Sequence, residues 1–436
     1  MKTRNLILAV ILLCTATTFA RVDINEANFP CENFRNWVLW LWETKGYITD
    51  AEIENTTSLS AVGMNISDLT GIQFFTNLTF LDVSRNQLTS LDVSSLTNLE
   101  SLRVSINRLT SLDISGLTNI RVLVAGGNQL TSLDVSRLTN LETLSVASNQ
   151  LTSFDDVSGL TNNIRWLDIS VNQLTSLDVS RLTNLETLSV ASNQLTSLDV
   201  SRLTNLEWLN VGSNQLTSLD VSRLTNLESL HVYRTQLTSL DVSRLTNLKT
   251  LYVYSNQLTS LDVSRLTNLK TLYVYSNQLT SLDVSGLTNL EWLFCFDNQL
   301  TSIDLTGLDS LVDFIGNNQT LALTLTGAND NYSLEIELNN PTELVFGLDY
   351  FNGILTSTSN EITSSPFTVE TGNPNFTLSG TLTLRYETET SIREIKNENR
   401  QPIAFYTITG ARLHTEPQSG IYIILYDDGT SEKVLR

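Results

Sequence analysis

The chain has 436 residues, with 26 Lys and Arg against 46 Asp and Glu and a formal charge of −20 at pH 7. That balance weighs against a surface built for polyanions, because nucleic acid and anionic membranes would meet a repulsive field. The length allows two or three domains, and 41% apolar residues suffice for a sizeable core.

Residues 1–20 carry Lys2 and Arg4, an apolar run from Leu6 to Cys14, and small residues ending at Ala20. This is the layout of a cleavable secretory signal, so export is expected, and Cys14 reads as apolar filler rather than a lipidation site. No other stretch approaches the roughly 20 apolar residues of a spanning helix.

Residues 21–58 read as a helical N-terminal cap, in which Phe34, Trp37, Val38 and Leu41 share one helical face that can cover the first repeat. If Gly46 were the central glycine of a calcium loop and Glu52 its last ligand, Leu41, Glu43 and Lys45 would fill the first, third and fifth positions. Leu41 cannot coordinate and Lys45 repels a cation, so the loop is degenerate and no metal or other cofactor is expected.

Residues 59–320 form a repeat array. Its unit is LTNLETLSVASNQLTSLDVSR (Leu182 to Arg202), which recurs nearly unchanged from about residue 78 to residue 310. Each unit holds Leu-x-x-Leu-x-Val-x-x-Asn-x-Leu, as in Leu141, Leu144, Val146, Asn149 and Leu151. One unit cannot bury its apolar face alone, so units must stack as a solenoid. The pattern resembles bacterial leucine-rich repeats of the internalin-like kind, and the segment from Phe29 to Leu59 resembles the cap that precedes such repeats in Bacteroidetes proteins. The resemblance implies an α/β repeat solenoid with a parallel sheet on its concave side, and a surface-exposed, protein-binding role.

The Asn at 86, 107, 128, 149, 172, 193, 214, 256, 277 and 298 reads as structural, a buried amide satisfying the backbone of adjacent turns. Two places break the register. Asn149 and Asn172 are 23 residues apart, through insertions near Asp155/Asp156 and Asn162/Asn163, and Thr235 replaces the Asn in one repeat, where a local weakness is expected.

Residues flanking the core Leu and Val of each strand point onto the concave sheet. In early repeats they are small or polar, such as Ser84, Ser105, Gly126, Ala147 and Ala191. In late repeats they become His231, Tyr233, Tyr252, Tyr254, Tyr273, Tyr275, Phe294 and Phe296, with Trp208 and Trp292 at strand entrances and Lys249 and Lys270 beside the rings. At ~4.8 Å per strand these rings form a two-column surface, the candidate binding site. Tyr and Trp suit a protein partner as anchors or a glycan as stacking platforms, and the same ladder would also stabilise a sheet by cross-strand pairing. On the convex side Asp92, Asp113, Asp134, Asp178, Asp199, Asp220, Asp241, Asp262, Asp283 and Asp304 repeat, with Arg137, Arg181, Arg202, Arg223, Arg244 and Arg265 three residues after an Asp. They read as solvated or Arg-paired turn carboxylates rather than a cation ladder.

Cys31 and Cys295 lie at opposite ends of the array, too far apart for a disulfide, and Cys295 takes a core Val position. From 321 to 388 alternation replaces the Leu period, with Tyr332, Leu334, Ile336 and Leu338 and then Phe376, Leu378, Leu382, Leu384 and Tyr386, which predicts a small antiparallel β-domain. Residues 389–436 contain Ala404 to Arg412, Ser419 to Ile424, Gly429 and Lys433 to Arg436, spaced as short strands between Gly turns. This tail resembles the C-terminal sorting domain of type IX secretion substrates, which implies display at the outer membrane or release; an ordinary C-terminal hairpin is the alternative.

His231 and His414 are the only histidines, and nucleophile, zinc or phosphate-loop motifs are lacking, so enzymatic activity is not expected. Two functions remain: a surface adhesin that binds a protein through the concave face, or a glycan-binding module using the same rings. A structural envelope role is the third.

Overall fold

The computed structural model describes residues 21–388, apart from 155–159, 161–162 and short stretches between 329 and 372, together with the backbone of four strands between 402 and 435. Residues 1–20, expected to be a secretory signal, the insertion at Asp155, Asp156 and Asn162, and His414 lie outside the described residues.

Thirteen parallel strands of three residues each, β3 (Ser58–Ser60) to β15 (Asp313–Ile315), stack in chain order into one sheet. Within a strand such as Thr250–Tyr252 the middle residue is buried and its neighbours face outward. In strict register, Leu230 pairs with Leu251 and Leu251 with Leu272. After the strand, Val253, Leu258, Leu261, Val263, Leu266 and Leu269 all point inward. Their spacing of two to five residues leaves no helical stripe, and the chain closes instead in turns such as Leu266 N to Val263 O (2.9 Å) and Leu269 N to Leu266 O (2.8 Å). The expected repeat solenoid is thus formed with little helix: the returning arms of the described repeats are turns, apart from a short 3-10 helix at Ile72–Phe74.

The Asn column behaves as expected. Asn277 Nδ2 donates to Val253 O and Val274 O (both 3.0 Å), while its Oδ1 accepts from Leu258 N (3.1 Å), so one buried amide serves three backbone groups. The residue before it is held at positive φ, even where that residue is Ile106 (φ 56°) or Val171 (φ 54°), which the left-handed region strains. Across the 23-residue spacing the ladder continues, with Asn172 donating to Val146 O and Ile169 O at 3.1 Å. A second, exposed Asn row runs at the opposite corner, where Asn247 and Asn268 donate to Thr225 O and Thr246 O (both 2.9 Å).

At the N-terminal end β1 (Arg21–Asp23) and β2 (Tyr47–Thr49) pair antiparallel around α1 (Glu32–Leu41), which buries Phe34, Trp37 and Val38. Leu41 does not join them and is 38% exposed. The chain leaves the helix there through Glu43 and Thr44 at positive φ, and Trp42 packs on Phe75 instead, ring centroids 5.4 Å apart. Glu52 caps α2 (Asp50–Asn55) through Thr49 and pairs with Lys45, whose bond is the largest of the effects that hold its carboxyl down at about 2. That carboxylate is thus committed to the helix start.

At the C-terminal end Gln319 takes the ladder position after Asn298: its Nε2 donates to Cys295 O (3.0 Å) and Gly316 O (3.1 Å), and its Oε1 accepts from Leu300 N (2.9 Å). The same residue starts β16 (Gln319–Ala328), the first strand of a six-stranded sheet. β16 runs parallel to β21 (Thr377–Thr388), and the other pairs of that sheet are antiparallel, as expected. Phe314 meets Phe376 edge-on (5.6 Å) and Leu305 N donates to Thr371 O (2.7 Å), which closes the last repeat. Four antiparallel strands, Pro402–Thr407, Arg412–Leu413, Ile421–Tyr426 and Ser431–Leu435, form a separate sheet in the tail.

Candidate binding face

The aromatic residues come together on the outward face of the sheet in two columns. In the first, Trp208 meets His231 edge-on (5.4 Å) and His231 lies on Tyr252 (4.4 Å). Tyr252 then stacks on Tyr273 (4.6 Å) and Tyr273 on Phe294 (4.5 Å). In the second, Tyr233, Tyr254, Tyr275 and Phe296 follow at 4.9, 4.4 and 4.3 Å. The five stacked pairs are within 3–9° of parallel. This is the strand spacing transmitted to the rings. Each inner ring therefore has its faces covered by its neighbours, and what it shows to solvent is its edge and, for Tyr, its hydroxyl.

The electrostatics follow from that packing. Burial lowers the His231 imidazole to about 4, and its Nε2 lies 3.0 Å from the Ser229 hydroxyl, so the ring is neutral at pH 7. Burial, with the neighbouring Tyr275 and Tyr233 phenols, pushes Tyr254 up to about 12. Lys249 and Lys270 do not add free positive charge beside the rings, contrary to expectation: they pair with Glu228 and Glu291, both at 2.7 Å. They belong to a charged row along the strand entrances, in which Arg121–Glu142 (2.8 Å) and Arg165–Glu186 also pair. Trp292 is 37% exposed at the far end, where the column rings become Phe294 and Phe296, with the exposed acids Asp313, opposite Trp292 on the next strand, and Asp297, next to Phe296.

One residue the sequence reading passed over fixes where the second column begins. Gly212 lies under Tyr233, and a Cβ there would sit 2.5 Å from the ring. The signal was present, since this position is Ala in the preceding repeat and Tyr in the next three.

The Asp column forms turns of its own. Asp262 accepts from Ser264 N (3.0 Å) and Ser264 Oγ (2.6 Å), and these bonds hold its carboxyl below the usual range, with Arg265 a smaller contribution. Among the described residues no Arg forms an ion pair with this column, so the partner is Ser two residues on rather than Arg three residues on. Cys295 is fully buried and its thiol is pushed up to about 12 by that burial, and Cys31 is likewise free. Among the described residues no group of three or more His, Cys, Asp or Glu could hold a metal ion, and no helix is long and apolar enough to cross a membrane.

This solenoid and its laddered turns define a leucine-rich-repeat protein. The family described as leucine rich repeats (2 copies) matches residues 118–161 and 246–287, and the leucine rich repeat matches 77–99. The chain belongs to that family, and its structural neighbours are internalin-like. It is similar to the functional domain of InlJ from Listeria monocytogenes (26% identity, 84% of this chain and 99% of that one, TM-score 0.54). It is also similar to an internalin, InlF, from the same organism (27%, 68% and 98%, TM-score 0.57). A leucine-rich-repeat protein of Leptospira interrogans is 30% identical over 60% of this chain and 75% of its own (TM-score 0.55). No curated protein matches the chain in sequence.

Proposed function

We propose that this is an exported, non-enzymatic surface adhesin that binds a protein partner through the aromatic face of its late repeats, Trp208 to Phe296. The carrying observation is the stack itself: covered ring faces and open edges and hydroxyls leave little of the flat platform that a sugar needs, but suit side chains and backbone of a polypeptide, for which Tyr and Trp are the usual anchors. A glycan-binding module on the same face is the second reading, favoured only by the exposed edge of Trp292. The similarity to internalins supports a binding scaffold at a cell surface, and the signal-like leader and sorting-domain-like tail support export.

Truncating Tyr252, Tyr254, Tyr273 and Tyr275 to Ala tests this directly. A pull-down of surface proteins and a glycan array are run in parallel with both forms, and a protein captured by the wild type is expected to be lost by the variant while melting stays cooperative. Capture unchanged by the four substitutions, or glycan binding that they alone abolish, would sink the reading.

A further inference from the structure

One late repeat departs from its neighbours at two adjacent positions. Where the flanking repeats read Ser213-Asn214 and Ser255-Asn256, this one has Arg234-Thr235. Thr235 interrupts the Asn ladder, and Arg234 sets a long cation at the strand exit, in a row otherwise held by Ser213, Ser255 and Ser276. Arg234 is exposed and no acid pairs with it. Among the described cations of the aromatic face it stands alone in this: Lys249 and Lys270 are held by Glu228 and Glu291, His231 is neutral, and Arg223, Arg244 and Arg265 act on the Asp column. The acids single out no such place. Glu207, Asp297 and Asp313 are all exposed around this face without an ion pair, so a basic group meets three alternatives and an acidic group meets one. Arg234 also lies beside the second column, where Tyr254 and Tyr275 stack 4.4 Å apart and both phenols feel its charge. Burial raises both phenols against that charge, so they remain protonated donors at pH 7.

Building on the reading of the face as protein-binding, we propose that Arg234, with the Tyr254 and Tyr275 hydroxyls, forms a carboxylate subsite that takes an Asp or Glu side chain of the polypeptide partner. Charge complementarity selects this occupant. A guanidinium offers parallel N–H donors that match the two oxygens of a carboxylate, and a phenol beside it can add a further bond. One free cation in a chain of net charge −20 suits a single negative charge, and a phosphate, with a charge of about −1.5 to −2, would meet more repulsion for the same contact. The acid that shares the Arg234 row, Asp297, is three strands away, about 14 Å, beyond the Debye length of roughly 8 Å at physiological salt, so the contact is local.

The test pans a phage-displayed library of random peptides of about twelve residues, enough to cross the strands from Trp208 to Asp313, on the full chain, with a glycan array in parallel. Selected peptides are expected to be enriched in Asp or Glu. Their affinity should fall about tenfold on Arg234→Ser, which installs the residue of the neighbouring repeats, and about threefold on Tyr275→Phe, with a weaker salt dependence in the Ser variant. Arg85→Ser, which removes the exposed arginine of the same row far from the rings, should bind as wild type. Peptides without acid enrichment, unchanged binding to Arg234→Ser, or an equal loss on Arg85→Ser overturn this proposal, as do carboxylated glycans bound in place of peptides. If the selected peptides still lose binding on Tyr252→Ala and Tyr273→Ala, the protein-binding reading survives alone. If ring truncation has no effect, or no peptide is selected at all, both fail.

Discussion

Gly212 shows how one residue sets the limit of a surface. Its missing side chain lets Tyr233 lie over the backbone and start the second aromatic column. Gly212→Ala places a methyl where the ring is, so Tyr233 must swing away and lose its stack on Tyr254, a loss of about 0.5–1.5 kcal/mol. Two measurements check this: a melting temperature lowered by a degree or two, and a Tyr254 phenol that titrates below about 12, because both the neighbouring ring and the burial it provides are gone. An unshifted titration would show that Tyr233 does not need the glycine. At this scale the columns themselves were legible, since alternation across a strand places His231, Tyr252 and Tyr273 on one line. The pairing of Lys249 and Lys270 was not, because their partners Glu228 and Glu291 stand 21 residues away and only the strand register brings them into reach.

The Asn ladder is the element that joins turn to turn, and its one gap is specific. Every described repeat from Leu88 to Leu300 has this leucine's amide donating to the ladder side chain one turn on, except Leu216, whose turn meets Thr235. The Thr235 hydroxyl turns the other way, donating to Asn256 Oδ1, and the Leu237 to Asn256 bond lengthens to 3.3 Å against 3.0 Å for most of its counterparts. Thr235→Asn restores one acceptor for Leu216 N and two donations to carbonyls, and should stabilise the chain by about 1–2 kcal/mol. Amide exchange at Leu216 should slow accordingly; exchange unchanged, with no gain in melting temperature, would mean that water already serves this amide. The ladder could be read from Asn recurring every 21 residues, whereas its last rung could not, because Gln319 is a different residue at the start of a different sheet. The turn-built return arms also escaped sequence reasoning: Leu258, Leu261, Val263 and Leu266 are apolar at intervals compatible with several local conformations, and only stacking against identical neighbours selects turns.

A solenoid exposes a core cross-section at each end, so the whole molecule depends on what covers them. Phe34, Trp37 and Trp42 close one end. At the other, β16 grows directly out of the ladder through Gln319, and Phe314–Phe376 and Leu305 N to Thr371 O hold the six-stranded sheet against the last repeat. The tail sheet has no strand in common with either. That separation divides fold from destination and yields one prediction with two readouts. A chain ending at residue 388 keeps both covers and should unfold at the same temperature as the full chain, but if the tail is the sorting signal it should no longer reach the cell surface, as judged by protease shaving of intact cells. A chain ending at residue 318 removes Gln319, Phe376 and Thr371 together, leaves Leu300 N and the last repeat open, and should lose several kcal/mol and its cooperativity. Surface display that persists without residues 389–436 would instead make the tail an ordinary terminal sheet, and the route of export would have to be sought elsewhere in the chain.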